Sequence, residues 1–123
     1  MPVQVKRVFD GPTTTDGYRV LVDRLWPRGV SRRAAALDGW LKVLAPSDEL
    51  RHWFAHDPAK WGEFTRRYRE ELAAPALAVA SADLKLRARA GMVTLVYAAA
   101  DTTHNNAVVL RDFLIDQPDP EAP

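Results

Sequence analysis

Apolar and polar positions change period several times along the chain, and each change predicts an element. Residues 3–9, Val-Gln-Val-Lys-Arg-Val-Phe, alternate as a half-buried strand should. Residues 10–17, Asp-Gly-Pro-Thr-Thr-Thr-Asp-Gly, are dense in turn formers and predict an exposed loop. Residues 18–23 are rich in β-branched and aromatic side chains and predict a second strand. Trp26-Pro-Arg-Gly29 ends it, because proline cannot continue a central strand. Ser31 caps a short helix reaching about Leu37, and residues 41–44 predict a further short strand. Ser47 opens a helix that stops near Ala55. Asp48 and Glu49 fall in its first turn, where the helix dipole favours negative charge.

Asp57-Pro58 gives a cap followed by proline at the first helical position, so a helix starts there and runs to about Leu72. Trp61, Phe64, Tyr68 and Leu72 share one face of it, opposite Glu63, Arg66, Arg67 and Glu70. That stripe is read as packing against a sheet rather than as a stacking platform. Ala74-Pro75 breaks the helix and Pro75 opens the next, with Gly91 as its carboxyl-end cap. A strand from Met92, a polar loop and a helix from about His104 to Leu114 close the ordered part.

Strands alternating with helices predict an α/β sandwich with a mostly parallel sheet. A length of 123 residues suits one domain, placed at 1–115, with an acidic tail over 116–123 whose prolines predict fraying. In such folds ligands sit beyond the carboxyl ends of the strands. Residues 92–110 meet that description: strand, loop and helix start aim backbone N–H groups and a helix dipole at one place, suited to an anion.

Composition narrows the chemistry. The chain has no cysteine, which excludes disulfides, thiolate zinc sites, persulfide carriers and cysteine nucleophiles. Hydrophobic content of 47% against 27% charged residues argues against a disordered chain. With no membrane-spanning apolar run and no signal segment, a cytoplasmic protein is expected. The net charge is +1, yet residues 1–33 carry Lys6, Arg7, Arg19, Arg24, Arg28, Arg32 and Arg33 against Asp10, Asp16 and Asp23. This basic third either favours phosphate or carboxylate ligands or is a scatter of solvated charges. No recognised module or compact basic run adds a strong nucleic-acid signal.

Three constellations carry candidate chemistry. In the loop Asp101-Thr-Thr-His-Asn-Asn106, Asp101 and His104 suit an acid–base pair, while Asn105 and Asn106 offer amide donors. Plain helix capping by Asp101 or the threonines, with His104 exposed, is the alternative. In Asp23-Arg-Leu-Trp-Pro-Arg28, Arg24 and Arg28 suit a clamp for phosphate or carboxylate with Trp26 as an apolar wall. An ion pair between Asp23 and an arginine, with Trp26 filling core, is equally consistent. His52 and His56 stand four apart, a spacing that puts two imidazoles on one helix face. They lack the glutamate of a zinc-protease helix, and no metal or cofactor is expected. Gly-rich phosphate loops, dinucleotide fingerprints and serine elbows are missing from the sequence.

Taken together, Asp16-Gly-Tyr-Arg-Val-Leu-Val-Asp-Arg-Leu-Trp-Pro-Arg-Gly29, Trp53-Phe-Ala-His-Asp-Pro58, Trp61-x-x-Phe64 and His104-Asn-Asn-Ala-Val-Val-Leu110 resemble the YeaO-like branch of the domain-of-unknown-function family 488. The resemblance spans roughly residues 3–115. It implies a three-layer sandwich with a rhodanese-like sheet flanked by helices, as in the rhodanese and cysteine-phosphatase group. Other branches carry a pattern like Leu-Cys-Ala-Glu-x-Asp-Pro-x-His-Cys-His-Arg at this last strand and loop. Laid on this chain, Asp101 and His104 are retained, the two cysteines fall at Tyr97 and Asn105, and the terminal His-Arg pair falls at Asn106 and Ala107. Sulfur transfer and thiol-dependent dephosphorylation are therefore not inherited.

The leading expectation is a domain that binds a small anionic ligand, nucleotide-derived anions included. Arg24 and Arg28 would hold the anion, Asp101, His104, Asn105 and Asn106 the rest of the pocket, and Trp26 and His56 would add to it. One rival is a hydrolase in which Asp101 and His104 act on water without a covalent thiol intermediate. The other is a partner-binding module presenting exposed aromatics such as Trp40 or Trp53. The oligomeric state is left open.

Overall fold

The most apolar strand-forming run, Val93–Tyr97, is buried along its whole length and becomes the inner strand β4. The other strands are β1 (Val3–Arg7), β2 (Tyr18–Leu21) and β3 (Gly39–Trp40). Five α-helices separate or follow them: α1 (Arg32–Ala35), α2 (Asp48–Phe54), α3 (Trp61–Leu72), α4 (Ala78–Ala90) and α5 (Asn106–Asp116). In this computed structural model, which describes residues 2–116, the strands form one sheet in the order β1-β4-β2-β3 and every neighbouring pair is parallel. Val3 to Arg7 of β1 lie opposite Val93 to Tyr97, and Tyr18 to Leu21 of β2 lie opposite Val93 to Val96. The protein is thus an α/β domain with a parallel sheet. No helix among the described residues is long and apolar enough to cross a membrane.

Strand alternation sorts the side chains into two clusters. Val20, Val22, Val93, Leu95 and Tyr97 join Leu44, Phe54, Phe64, Tyr68, Leu84, Leu110 and Leu114 in the larger core. Leu21 and Val96 join Val8 and Ala35 in the smaller one, with Trp26 and Trp40 packed against it. The stripe on α3 is core as expected: Phe64, Tyr68 and Leu72 are buried, and the half-buried Trp61 packs at their edge.

Several boundaries differ from the sequence expectation. The first strand stops at Arg7, and Val8–Asp10 form a 3-10 turn closed by Gly11 at φ 76°. The strand expected over 41–44 is instead Gly39–Trp40, followed by a 3-10 turn at Lys42–Leu44. The ladder to β2 is made by the N–H groups of Asp38 and Leu41, which donate to the carbonyls of Arg19 and Leu21. Leu41 and Leu44, three apart, suit the 3-10 period rather than strand alternation. The helices expected from Pro58 and Pro75 each begin as a 3-10 turn, at Pro58–Lys60 and Pro75–Leu77. The last helix starts at Asn106 and continues to Asp116, whose carboxylate meets Arg69 at 2.9 Å. The remainder of the expected tail, from residue 117 on, lies outside the described residues.

On the face carrying Leu21 and Val96, the strand starts are tied by one buried carboxylate. Asp16, 2% exposed, accepts Arg19 Nη1 at 2.6 Å, Lys6 Nζ at 3.1 Å, the Thr13 hydroxyl at 2.8 Å and the Gln4 amide at 3.2 Å. Its own carbonyl accepts the Thr94 hydroxyl, so β1, β2 and β4 all meet it. Arg19, also buried, donates onward to the carbonyls of Ala35 and Ala36 at the end of α1. Gly17, at φ 63°, completes the corner: a Cβ there would stand 2.2 Å from the Met92 carbonyl oxygen. Burial alone would raise the Asp16 pKa. The Thr13 N–H and hydroxyl, Lys6 and Arg19 outweigh it and hold the carboxyl well below the ordinary range.

Removing one partner of a buried ion pair costs about 3–5 kcal/mol, so Asp16→Asn should lower the melting temperature by roughly 10 °C or more. The folded-state pKa lies below the unfolded value of about 3.9, so the unfolded chain holds the extra proton between the two. The stability this carboxylate contributes is full above about pH 4 and drains away as the pH falls below it. The gap in melting temperature between wild type and Asp16→Asn should therefore narrow from pH 6 toward pH 2.5. A gap of constant size would refute the assignment. On the other face, the buried Tyr68 hydroxyl donates to the Leu44 carbonyl at 2.5 Å and joins α3 to the turn after β3. Tyr68→Phe should lower the urea midpoint by an amount worth about 1–2 kcal/mol with the slope unchanged.

Candidate functional site

The strands β2 and β4 end side by side, and the chain leaves both in the same direction. Asp23 follows β2, and Ala98 and Ala99 follow β4. One carboxylate oxygen of Asp23 accepts the Ala98 N–H at 3.0 Å, and the other accepts the Asn106 amide at 3.1 Å. Asn106 also donates to the Val22 carbonyl, so the first residue of α5 is fastened to the exit of β2. Beyond this junction lies a cavity of about 300 Å³. It sits where a parallel α/β sheet places ligands, past the carboxyl ends of adjacent strands.

Of the residues singled out from the sequence, the structure brings six to this cavity: Arg24, Trp26, His56, His104, Asn105 and Asn106. Two are elsewhere. Arg28 is exposed, away from the lining, and has no partner among the described residues. Asp101 stands behind His104. One Asp101 oxygen accepts the N–H groups of Thr103 and His104, both at 2.9 Å, and the other meets His104 Nδ1 at 2.9 Å. The Thr103 N–H first, then the His104 N–H and both side chains, hold the Asp101 carboxyl well below its ordinary range. His104 is thereby fixed through Nδ1, and its ring meets Trp61 edge-on at 5.2 Å. Its Nε2 has no hydrogen bond among the described residues.

Capping falls to Asn105 rather than to the threonines. Asn105, 2% exposed, accepts the Val108 N–H and donates to the Asp101 carbonyl, which closes the loop onto the start of α5. This buried amide stands at one of the two positions where the resemblance to the thiol-bearing branches would lay a cysteine. The other, Tyr97, is 2% exposed at the end of β4, and burial pushes its phenol above the ordinary range.

The Arg24 guanidinium donates to the carbonyl of Pro46 at 3.2 Å and lies 3.6 Å from Asp48. Trp26 is pinned by its indole N–H to the Val30 carbonyl and packs edge-on against Trp40 at 5.4 Å. The ion pair with an arginine proposed for Asp23 does not form as a contact, since the amide groups of Ala98 and Asn106 take its oxygens. Burial pushes the Asp23 carboxyl up. The hydrogen bonds from Asn106 and Ala98 and the charges of His56 and Arg51 oppose that shift.

His56 reaches the cavity by leaving the helix. Ala55 and His56 both adopt left-handed backbone, at φ 46° and 58°, which costs roughly 1–2 kcal/mol per non-glycine residue. The turn lays the imidazole 6.4 Å from the Phe54 ring. It also separates His56 from His52, which stays on α2, so the two do not share a helix face. Among the described residues, no group of three His, Asp or Glu is placed to hold a metal.

Two charged lining residues were not singled out for this role in the sequence. Asp23 read only as half of a pair. Arg51, three residues after Asp48 in the last turn of α2, is given no role by the sequence alone. In the fold its side chain lines the cavity, its Nη2 contacts Asp48 at 3.1 Å, and its buried Nε has no hydrogen-bond partner among the described residues. Nothing local in the sequence marks that atom, because the wall is assembled from segments far apart in the chain.

Comparisons with known proteins agree on one family. Residues 2–122 match the family model described as the inactive DUF488-N3 subclade. The chain is 44% identical over 115 residues to the uncharacterised protein YeaO of Escherichia coli, covering 93% of this chain and 97% of that one. It is 40% identical over 112 residues to the uncharacterised proteins Rv3073c of Mycobacterium tuberculosis and Mb3100c of Mycobacterium bovis, covering 91% of this chain and 92% of each. No solved structure matches it. By a match that runs almost end to end, the chain belongs to the inactive subclade of the DUF488-N3 family, the branch that includes the YeaO-like proteins.

Proposed function

We propose that this is a cytoplasmic, rhodanese-like, three-layer domain whose cavity binds a small anionic ligand without thiol chemistry. The observation that carries the reading is the presence of two arginines, Arg24 and Arg51, in the lining of one cavity. An anion in the cavity would meet these two guanidinium groups through charge-assisted hydrogen bonds. The imidazole rings of His56 and His104 line the same space. Pro27, Pro46, Phe54 and Phe64 give the cavity apolar walls, so the ligand combines a charged group with an apolar or flat body. The absence of cysteine and the family's description as inactive both favour binding over turnover.

A second reading rests on the Asp101–His104 contact. A histidine held through Nδ1 with Nε2 unbonded is placed to relay a proton to water, as a hydrolase would need. The two readings separate in solution. Inorganic pyrophosphate and adenosine monophosphate should raise the melting temperature by several degrees once their concentration exceeds the dissociation constant about a hundredfold. Arg51→Met should weaken that binding by about tenfold or more, and Arg66→Ala, on the outer face of α3, should not. If neither probe shifts the melting curve, or the shift survives Arg51→Met intact, the binding reading fails. Phosphate release that disappears in His104→Ala would establish the hydrolase instead.

A further inference from the structure

Trp26 belongs both to the cavity wall and to a row of side chains that leads away from it. On its outer side the Arg32 guanidinium lies over its ring at 4.5 Å. The same guanidinium reaches the Trp40 ring at 6.0 Å, and Lys42 Nζ stands over Trp40 at 4.0 Å. Cations and rings therefore alternate from the cavity mouth outward: Trp26, Arg32, Trp40, Lys42. Both indoles are fixed from beneath, Trp26 by the Val30 carbonyl and Trp40 by the Asp23 carbonyl at 2.7 Å. Arg28 and Arg33, exposed and without partners among the described residues, belong to the same segment. Residues 24–42 hold Arg24, Arg28, Arg32, Arg33 and Lys42 against Asp38 alone, a segment charge of +4 (five bases less one acid) in a chain of net charge +1. The only acid in the segment is engaged, since Asp38 accepts the Arg19 N–H at 2.8 Å.

We infer that this rim is a binding surface for single-stranded nucleic acid, with the strand's terminal phosphate seated in the cavity; the inference rests on the anion-binding reading of that cavity. Phosphates of a strand meet cations, and bases stack on flat π systems, guanidinium planes included. Arg32 is held over the Trp26 ring, which places its guanidinium beside the cavity lining as a stacking group. Arg28, Arg33 and Lys42 supply charges for successive phosphates, and Leu25, 60% exposed and also on the cavity lining, gives an apolar contact. A duplex lacks exposed base faces, so a surface of this kind selects the single strand.

The test uses the full chain and a fluorescein-labelled oligothymidylate about 12 nucleotides long carrying a 5′-phosphate, within the site sizes of about 4–16 nucleotides seen for single-strand binders. Fluorescence anisotropy should report binding whose affinity falls with salt by about 0.7 log units per log unit of salt for each contacted phosphate. Arg28→Glu combined with Arg33→Glu, at positions whose side chains have no partner to lose, should melt like wild type. That double variant should weaken the oligonucleotide by about tenfold or more and flatten the salt slope by about 1 or more. Removing the 5′-phosphate should weaken binding several-fold. The inference is overturned by equal affinity for a duplex of the same length, by indifference to the charge reversals or to the 5′-phosphate, or by preferential binding to anionic phospholipid vesicles. If wild type binds pyrophosphate but not the oligonucleotide, the rim inference alone fails. If it binds neither, the cavity reading falls with it.

Discussion

A carboxylate taken out of water is tolerated only where several donors converge on it, and that condition organises the strand starts of this protein. Asp16 collects Lys6 from β1, Arg19 from β2, Gln4, Thr13 and, through its carbonyl, Thr94 from β4. No single strand can satisfy it. Its neutralisation requires the sheet to be assembled in register, and the glycine beside it admits the Met92 carbonyl only because it has no side chain. Arg19 extends the same network to α1, so one charged cluster settles both strand pairing and the seat of the first helix.

The opposite ends of the strands obey a different rule. There the tie between β2, β4 and α5 is made by one aspartate and one asparagine, Asp23 and Asn106, beside an open cavity. A tightly packed end resists slippage. An open end leaves side chains such as Arg24, Arg51 and His56 lining free space. The division of labour matches parallel α/β sheets generally, where stability lies toward one edge and ligand sites toward the other. At the cavity end, Tyr97 and Asn105 are absorbed into packing and capping.

Much of the fold was legible because local signals were unambiguous. Ser47 and Ser31 cap the helices they announce, the stripe on α3 packs into the core, and the strand at Met92 is the most buried of all. Misreadings occurred where short segments serve two periods, as at residues 41–44, which look like a strand and form a 3-10 turn. The site was legible in part. His104, Asn105, Asn106, Arg24, Trp26 and His56 carry types and loop positions that sequence reasoning can flag, and all six meet. Arg51 could not be found that way, since its environment is made by residues from both ends of the chain. Nor could the row from Trp26 to Lys42, in which charges spread over 17 positions are gathered by stacking.

The sheet order also constrains how the molecule comes into being. The inner strand is supplied by residues 93–97, and the outer strand β1 pairs with nothing else. Until that late segment is made, β1 has no partner and β2 has only the two-residue contact with β3. A chain leaving the ribosome amino end first must hold its first ninety residues in waiting, with their apolar faces uncovered, and then close the sheet in one late event. Long-range pairing of this kind is slow, so the growing chain is a natural client for chaperones. Because α5 follows β4 in the chain and supplies Asn106 to the cavity lining, a fragment that stops before α5 cannot present the cavity.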